Sequence, residues 1–271
     1  MADSVNVLFV SDVVGRPGRR AVRTLVPELR ERYDIHLCVA NGENAAAGFG
    51  LTLEIAEDLF DHGVDVLTSG NHLWDRKEIV PVLDRQTSIL RPANYPDGAP
   101  GCRVAVPNLP DGTSVGVFCL QGRVFLHDSD CPFRTAEALI EDLRGRTRII
   151  LVDFHAEATS EKIAMGWFLD GRVSAVIGTH THVQTADERI LPGGTAYLTD
   201  AGMTAPFDSV IGIEKEAAIG RFLTQVPHRF EVARNDIRLQ GAVVEIDRKT
   251  GRALDIRRIE ERVAGTIEGQ A

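Results

Sequence analysis

The chain has no C-x-x-C pair. Its four cysteines, Cys38, Cys102, Cys119 and Cys131, are scattered, and Cys38 and Cys119 fall inside apolar runs. Thiols placed this way argue against a disulfide frame or a cysteine-built zinc site and read as reduced groups in a cytoplasmic protein. No apolar run approaches the ~20 residues needed to cross a bilayer. The opening Met-Ala-Asp-Ser-Val-Asn-Val-Leu-Phe-Val lacks the basic and long apolar regions of a signal peptide. Positive charge is also scarce: 30 Lys and Arg against 39 Asp and Glu leave a net charge of −9. A broad nucleic-acid surface needs the opposite excess, whereas a small nucleotide needs only a local positive site such as a metal ion. Internal repeats, low-complexity segments and a clear domain boundary are missing too. A length of 271 residues with 44% apolar content suits one large α/β domain over 1–271. Homo-oligomerisation stays open.

What is present is a series of apolar runs that each end in polar residues. Residues 5–10 read as a central parallel strand running into Ser11-Asp12, followed by a helix over about 17–33. Residues 35–40 form a second strand leading to Asn41-Gly42-Glu43-Asn44, then a Gly-rich loop over 45–50 and a helix over 52–62 with Thr52 as its cap. Residues 64–68 form a third strand leading to Ser69-Gly70-Asn71-His72. Three βα units in succession imply right-handed crossovers and a largely parallel sheet. The Pro/Gly-rich middle, 91–124, holds short β runs at 102–106 and 114–120 that suggest antiparallel strands of a second sheet. A helix near 134–143 precedes an apolar strand over 148–154 that delivers His155. Thr159 and Ser160 read as the cap of a helix reaching about 169. The run 173–177 ends in Gly178-Thr179-His180-Thr181-His182. Hairpins over 186–198 and 241–259 close the chain, and the last residues read as frayed.

Placed side by side, Asp12, Glu43, Asn44, Asn71, His72, His155, His180 and His182 all follow strands at the edge where open α/β sheets bind ligands. Each has an ordinary reading as a cap, a turn residue or a half-buried imidazole. Five independent coincidences at one sheet edge are far less credible than a metal centre. Mixed carboxylate, amide and imidazole donors suit Fe, Mn or Zn at a catalytic site. Eight side chains are too many for one ion but suit two that share a carboxylate. Two such ions clamp a phosphoryl group and acidify a bridging water. His72, next to Asn71, is the natural proton donor for the leaving alkoxide.

The order Asp12, Gly42-Glu43-Asn44, Gly70-Asn71-His72, His155, Gly178-Thr179-His180-Thr181-His182 resembles the calcineurin-like metallophosphoesterase superfamily. The superfamily's Asp-x-His, Gly-Asp and Gly-Asn-His-Glu blocks stand here as Asp12-Val13-Val14, Gly42-Glu43-Asn44 and Gly70-Asn71-His72-Leu73. With residues 154–162 and 200–204, these departures resemble the bacterial YmdB-like subgroup of 2′,3′-cyclic-nucleotide phosphodiesterases. The resemblance implies a four-layer α/β/β/α sandwich of two mixed sheets flanked by helices. It implies one metal on Asp12, Glu43, Asn44 and His182, and a second on Glu43, Asn71, His155 and His180. Glu43 would bridge them, Asn44 would replace the missing Asp-x-His histidine, and His72 would be the general acid. The metals would be Fe or Mn, with Zn compatible. The expected reaction is in-line attack of a metal-bound hydroxide on a 2′,3′-cyclic nucleotide, with a broad phosphomonoesterase as the alternative. An amidohydrolase and a scaffold with a structural metal fit less well. Whether Arg16, Arg19, Thr159 or Ser160 touch substrate is not fixed by sequence; Arg16, Arg19 and Arg20 read first as solvated helix-face charges.

Overall fold

The computed structural model describes residues 4–265. In chain order the strands and helices are β1 Ser4–Val10, β2 Asp12–Val13, α1 Gly15–Arg32, β3 Leu37–Asn41, α2 Leu53–Asp61, β4 Val66–Thr68, α3 Val80–Leu83, β5 Val104–Ala105 and β6 Val115–Gln121. They continue as α4 Pro132–Leu143, β7 Ile149–His155, α5 Thr159–Leu169, β8 Ala175–Thr179, β9 Arg189–Ile190, β10 Ala196–Leu198, β11 Met203–Pro206, α6 Lys215–Thr224, β12 Ile237–Asp247 and β13 Ala253–Arg262.

The side-chain alternation of β1 explains the layering. Val5, Val7 and Phe9 point to one face, and Leu8 and Val10 to the other. The first face meets Val117, Leu151, Ile177 and Leu198 of a second sheet, which makes an apolar interior between two sheets. The second face packs against Val22, Leu25, Val26 and Leu29 of α1 and Leu59 of α2. On the far side of the second sheet, Phe118, Ile150, Val152 and Val176 pack against Ile140 of α4 and Met165 of α5. Each such buried side chain contributes about 1.5–3 kcal/mol. The result is the expected α/β/β/α sandwich.

Both sheets are mixed. The first runs β2-β11-β12-β1-β3-β4, with β13 also on β12. β1, β3 and β4 are parallel, as the three βα units require, whereas β12 returns antiparallel to β1 in the register Ser4 to Asp247. The second runs β5-β6-β7-β8-β10-β9. β5 is antiparallel to β6 as expected, but β6, β7, β8 and β10 are parallel to one another, because α4 and α5 carry the chain back between β6, β7 and β8.

Three expectations need correction or limits. Asp12, expected just past the end of a strand, itself lies on the short strand β2, paired in parallel with Met203 of β11. Thr159 and Ser160 do not cap α5: they are exposed residues of its first turn, and Ala158, in an extended conformation, is the cap residue with no side-chain bond. The last residues expected to fray, 266–271, lie outside the described residues. Thr52 does cap α2, accepting from the Ile55 N–H at 3.3 Å.

Candidate metal centre

The parallel strands of the two sheets end side by side, and one buried acid ties them there. Asp153 of β7 accepts from Asn41 Nδ2 of β3 at 3.1 Å and from Thr68 Oγ1 of β4, both in the first sheet. It also accepts from Thr179 Oγ1 of β8 at 2.7 Å. Burial pushes its carboxyl up to about 6, which leaves it ionised at neutral pH.

This tie fixes the proton on His155. Because the Thr179 hydroxyl donates to Asp153, its lone pair faces His155 Nδ1 at 2.9 Å, so Nδ1 carries the ring hydrogen. His155 Nε2 is then a lone pair aimed at Glu43 Oε1 (2.9 Å), Asn71 Oδ1 (3.1 Å) and His180 Nδ1 (3.0 Å). His180 is arranged in the same way: its Nε2 meets the Glu157 carboxylate at 3.1 Å, which leaves Nδ1 pointing inward. So is His182, whose Nδ1 donates to the Ile211 carbonyl at 3.0 Å. The inward His182 Nε2 lies 3.3 Å from Asn44 Nδ2 and 3.8 Å from Asp12 Oδ1. Three imidazoles thus each spend their N–H on a fixed acceptor and turn a lone pair inward, as metal-ligating histidines do.

Asp12 and Glu43 are almost wholly buried (0% and 1% exposed). Asp12 Oδ2 accepts the His180 N–H at 3.1 Å, and Glu43 Oε2 accepts the His72 N–H at 3.0 Å. Burial holds the Asp12 carboxyl above its ordinary range. Burial would also raise Glu43, but the charge and hydrogen bond of His155 bring it down to about 2. For His155, burial is outweighed by Glu43, and the imidazole rises to about 9. Burial and the neighbouring His155 push His180 down to about 3. A cluster this rich in acceptors draws a cation, and a proton on His155 is the smallest that serves. Glu43, His155 and His180 each offer a ligand atom within 4.8 Å of one another, a grouping that could hold a metal ion. Asn44 presents Nδ2 to Asp12, Glu43 and His182; turned by 180°, the amide would present Oδ1 to a cation.

The backbone explains how histidines two apart converge. β8 ends at Thr179, and His180 and His182 adopt left-handed conformations, φ 100° and 64°. Such positions cost about 1–3 kcal/mol each and persist where surroundings over-determine them. Here a buried ion pair does so: Lys162 Nζ donates to the Thr179 carbonyl and to Asp200, which also accepts from the Thr181 N–H at 3.2 Å and hydroxyl at 2.8 Å. The chain past Thr179 therefore does not continue as a strand with His and Thr on alternate faces. Gly70 provides room, since a Cβ there would lie 2.1 Å from the His155 ring.

All eight strand-end residues therefore meet at one edge. His72 stands beside the cluster, with Nδ1 donating to Asp75 at 2.8 Å and the Phe49 ring at its edge, 5.0 Å between centroids. Arg19 faces Asp58 of α2 across 4.0 Å and so belongs to helix packing; Arg16 is exposed at the start of α1. His36 and His62 are structural, accepting from the Asn6 N–H and bonding the Asp58 carbonyl. Sequence spacing assigns no role to Asp153, Thr179, Glu157, Lys162, Asp200 or Asp75. An acid inside the apolar run 149–154 was the one visible signal.

Two packed sheets with an acceptor cluster at their common carboxyl edge put this chain in the metallophosphoesterase class of folds. The chain belongs to the family of YmdB-like proteins, whose family model matches residues 8–259. It is 51% identical over 255 residues, 94% of this chain and 96% of the other, to the 2′,3′-cyclic-nucleotide 2′-phosphodiesterase of Bacillus subtilis (strain 168). Its fold is similar to the crystal structure of a hypothetical protein from Thermus thermophilus, with TM-score 0.89, 42% identity and coverage of 95% and 99% of the two chains. It is also similar to that of a novel phosphatase from Mycoplasma pneumoniae, with TM-score 0.90, 34% identity and coverage of 97% and 95%.

Proposed function

We propose that the chain is a dimetal phosphodiesterase that opens 2′,3′-cyclic nucleotides at the 2′ ester bond. The observation that carries this reading is the gathering of Glu43 Oε1, Asn71 Oδ1 and His180 Nδ1 within 2.9–3.1 Å of His155 Nε2, with no lysine or arginine among these partners. The activity printed for the Bacillus subtilis relative supports the substrate class. Glu43, Asn71, His155 and His180 would hold one ion. Asp12, Asn44 and His182, sharing Glu43 as the bridge, would hold the other. The mixed oxygen and nitrogen donors suit Fe or Mn, and Zn is compatible. When bound, such a pair supplies positive charge for the phosphodiester oxygens and a water acidic enough to act as nucleophile at neutral pH.

His72 would be the general acid. Asp75 accepts its Nδ1–H, which orients the ring and leaves Nε2 to carry the proton for the departing ribose 2′ oxygen. The His72 N–H bond to Glu43 keeps the acid in register with the bridge. Because the donors come from both sheets, the reading treats 1–271 as one working domain. Four free thiols fit a cytoplasmic place of action, and no helix among the described residues is long and apolar enough to cross a membrane. The substrate is a small nucleotide.

The test is hydrolysis of 2′,3′-cyclic AMP against p-nitrophenyl phosphate with Mn or Fe supplied. The proposal expects turnover of the cyclic substrate with release of the 3′-phosphate. Robust monoester turnover with none of the cyclic diester would replace it with a phosphomonoesterase.

A further inference from the structure

At the opposite edge of the second sheet the chain builds a different kind of pocket. A cavity of about 160 Å³ opens where the segments before β7 and β8 meet the turns of the β9–β10 and β12–β13 hairpins. β7 is seven residues long, so the pocket lies about 20 Å from the His155 end of the strand. Its lining contains four arginines, Arg144, Arg148, Arg172 and Arg252, and no acidic residue. In a chain of net charge −9 that grouping stands out.

The arginines are not there to neutralise carboxylates. Among the described residues only Arg172 of the four pairs with one, Glu137 at 3.2 Å. Arg148 donates to the Lys249 carbonyl, which orients the guanidinium without cancelling its charge. Arg252 is seated by the backbone of the neighbouring turn. Gly194, at φ +95°, has no side chain, and a Cβ there would lie 2.5 Å from Arg252 Nε. The two hairpins are joined at this point by the Ala253 N–H to the Gly194 carbonyl at 2.9 Å, and Ser174 Oγ donates to the Gly251 carbonyl. Three segments distant in sequence thus bring four like charges around one cavity. Guanidinium forks match phosphate oxygens, and four of them around one cavity, only one paired with a carboxylate among the described residues, leave donors that an anion can take up.

We infer that this pocket is a second binding site, separate from the metal centre, for a phosphate group. Its volume suits a phosphate or the phosphoryl end of a phosphomonoester and is too small to enclose a whole nucleotide. The ligand is therefore either free inorganic phosphate or a phosphomonoester such as a 3′-nucleotide whose remainder stays outside. Because the site shares no residue with the metal centre, the inference stands or falls independently of the proposed reaction.

The test is calorimetric titration of the full chain with inorganic phosphate and, separately, with 3′-AMP. The wild type, Glu43→Gln and the double substitution Arg148→Ala with Arg252→Ala are compared. Saturable phosphate binding is expected in the wild type and in Glu43→Gln. Each lost guanidinium should weaken it about tenfold. Arg144→Gln alone, which removes one exposed fork, should show a single such loss and guards against misfolding of the double variant. Hydrolysis at the metal centre should be unchanged in the arginine variants. Tighter binding of 3′-AMP than of phosphate, lost with the arginines, identifies the phosphomonoester; equal binding identifies free phosphate. No saturable binding in the wild type, binding that survives loss of the arginines, or binding lost with Glu43→Gln would overturn the inference.

Discussion

His155 Nε2 and His180 Nδ1 face each other across 3.0 Å, while the opposite nitrogen of each ring is held by Thr179 and by Glu157. Two inward lone pairs this close, beside the buried Glu43 carboxylate, are stable only with a cation between or beside them. In the metal-free chain that cation is a proton on His155.

A pH dependence follows. The His155 imidazole stands at about 9 in the folded metal-free chain against an ordinary value of 6.5. Its contribution to stability is fully present below about 6.5 and is lost as pH rises through about 9. The melting temperature of the metal-free protein should fall across that window, and the metal-loaded protein should not share the decline. Because a ligating imidazole must give up its proton, metal affinity should rise about tenfold per pH unit over the same window. Calorimetry in buffers of different ionisation enthalpy would detect the released proton. Metal affinity flat between pH 6.5 and 9 would contradict the assignment of His155.

Glu157 orients His180 from outside the cluster. Replacing it with Ala should weaken metal binding by about 10–100-fold, the usual effect of losing a partner behind a ligand. Glu157→Gln, which keeps an acceptor for the His180 Nε2–H, should lose less. Equal loss in both variants would mean that charge, and not ring orientation, is what Glu157 supplies.

Gly70 makes room for the His155 ring. Gly70→Ala should displace His155, lowering both metal occupancy and melting temperature, because the added carbon would lie 2.1 Å from the ring. Gly98→Ala is the matched control, since a Cβ there meets nothing within 4 Å. Full metal occupancy in Gly70→Ala would show that the ring has more freedom than this packing allows.

The buried Lys162–Asp200 pair holds the backbone of Thr179 and Thr181, both atoms lying in side chains 1% exposed. Removing one partner of such a pair leaves an uncompensated buried charge, at a cost of about 3–5 kcal/mol. Lys162→Met should lose that much in urea unfolding, and the left-handed turn at His180 should relax, weakening metal binding as well. A loss below about 1 kcal/mol would show that the pair is not what supports the turn.

Much of this site is readable without coordinates because of where its residues sit. An apolar run ending in a donor is a local pattern, so Asp12, Glu43, Asn71, His155 and His180 can be found one segment at a time, and the parallel units β1, β3 and β4 follow from the same rhythm. The groups that set protonation are not local. Asp153 acts through Asn41, Thr68 and Thr179, which come from three other strands in two sheets. The partner of His182 is the Ile211 carbonyl, a backbone group that no side-chain pattern announces. The pairing of β1 with β12 spans 243 positions from Ser4 to Asp247, and local periodicity carries no information about it. Thr159 and Ser160 mislead because cap-forming residues stand at the right place while the extended backbone of Ala158 takes the cap position.

The central claim is that two ions share Glu43, and anomalous scattering from crystals of the Mn- or Fe-loaded protein tests it most directly. The account predicts two peaks per chain, one against Asn71, His155 and His180, the other against Asp12, Asn44 and His182, with Glu43 touching both. A single peak, or two of which only one touches Glu43, would contradict it.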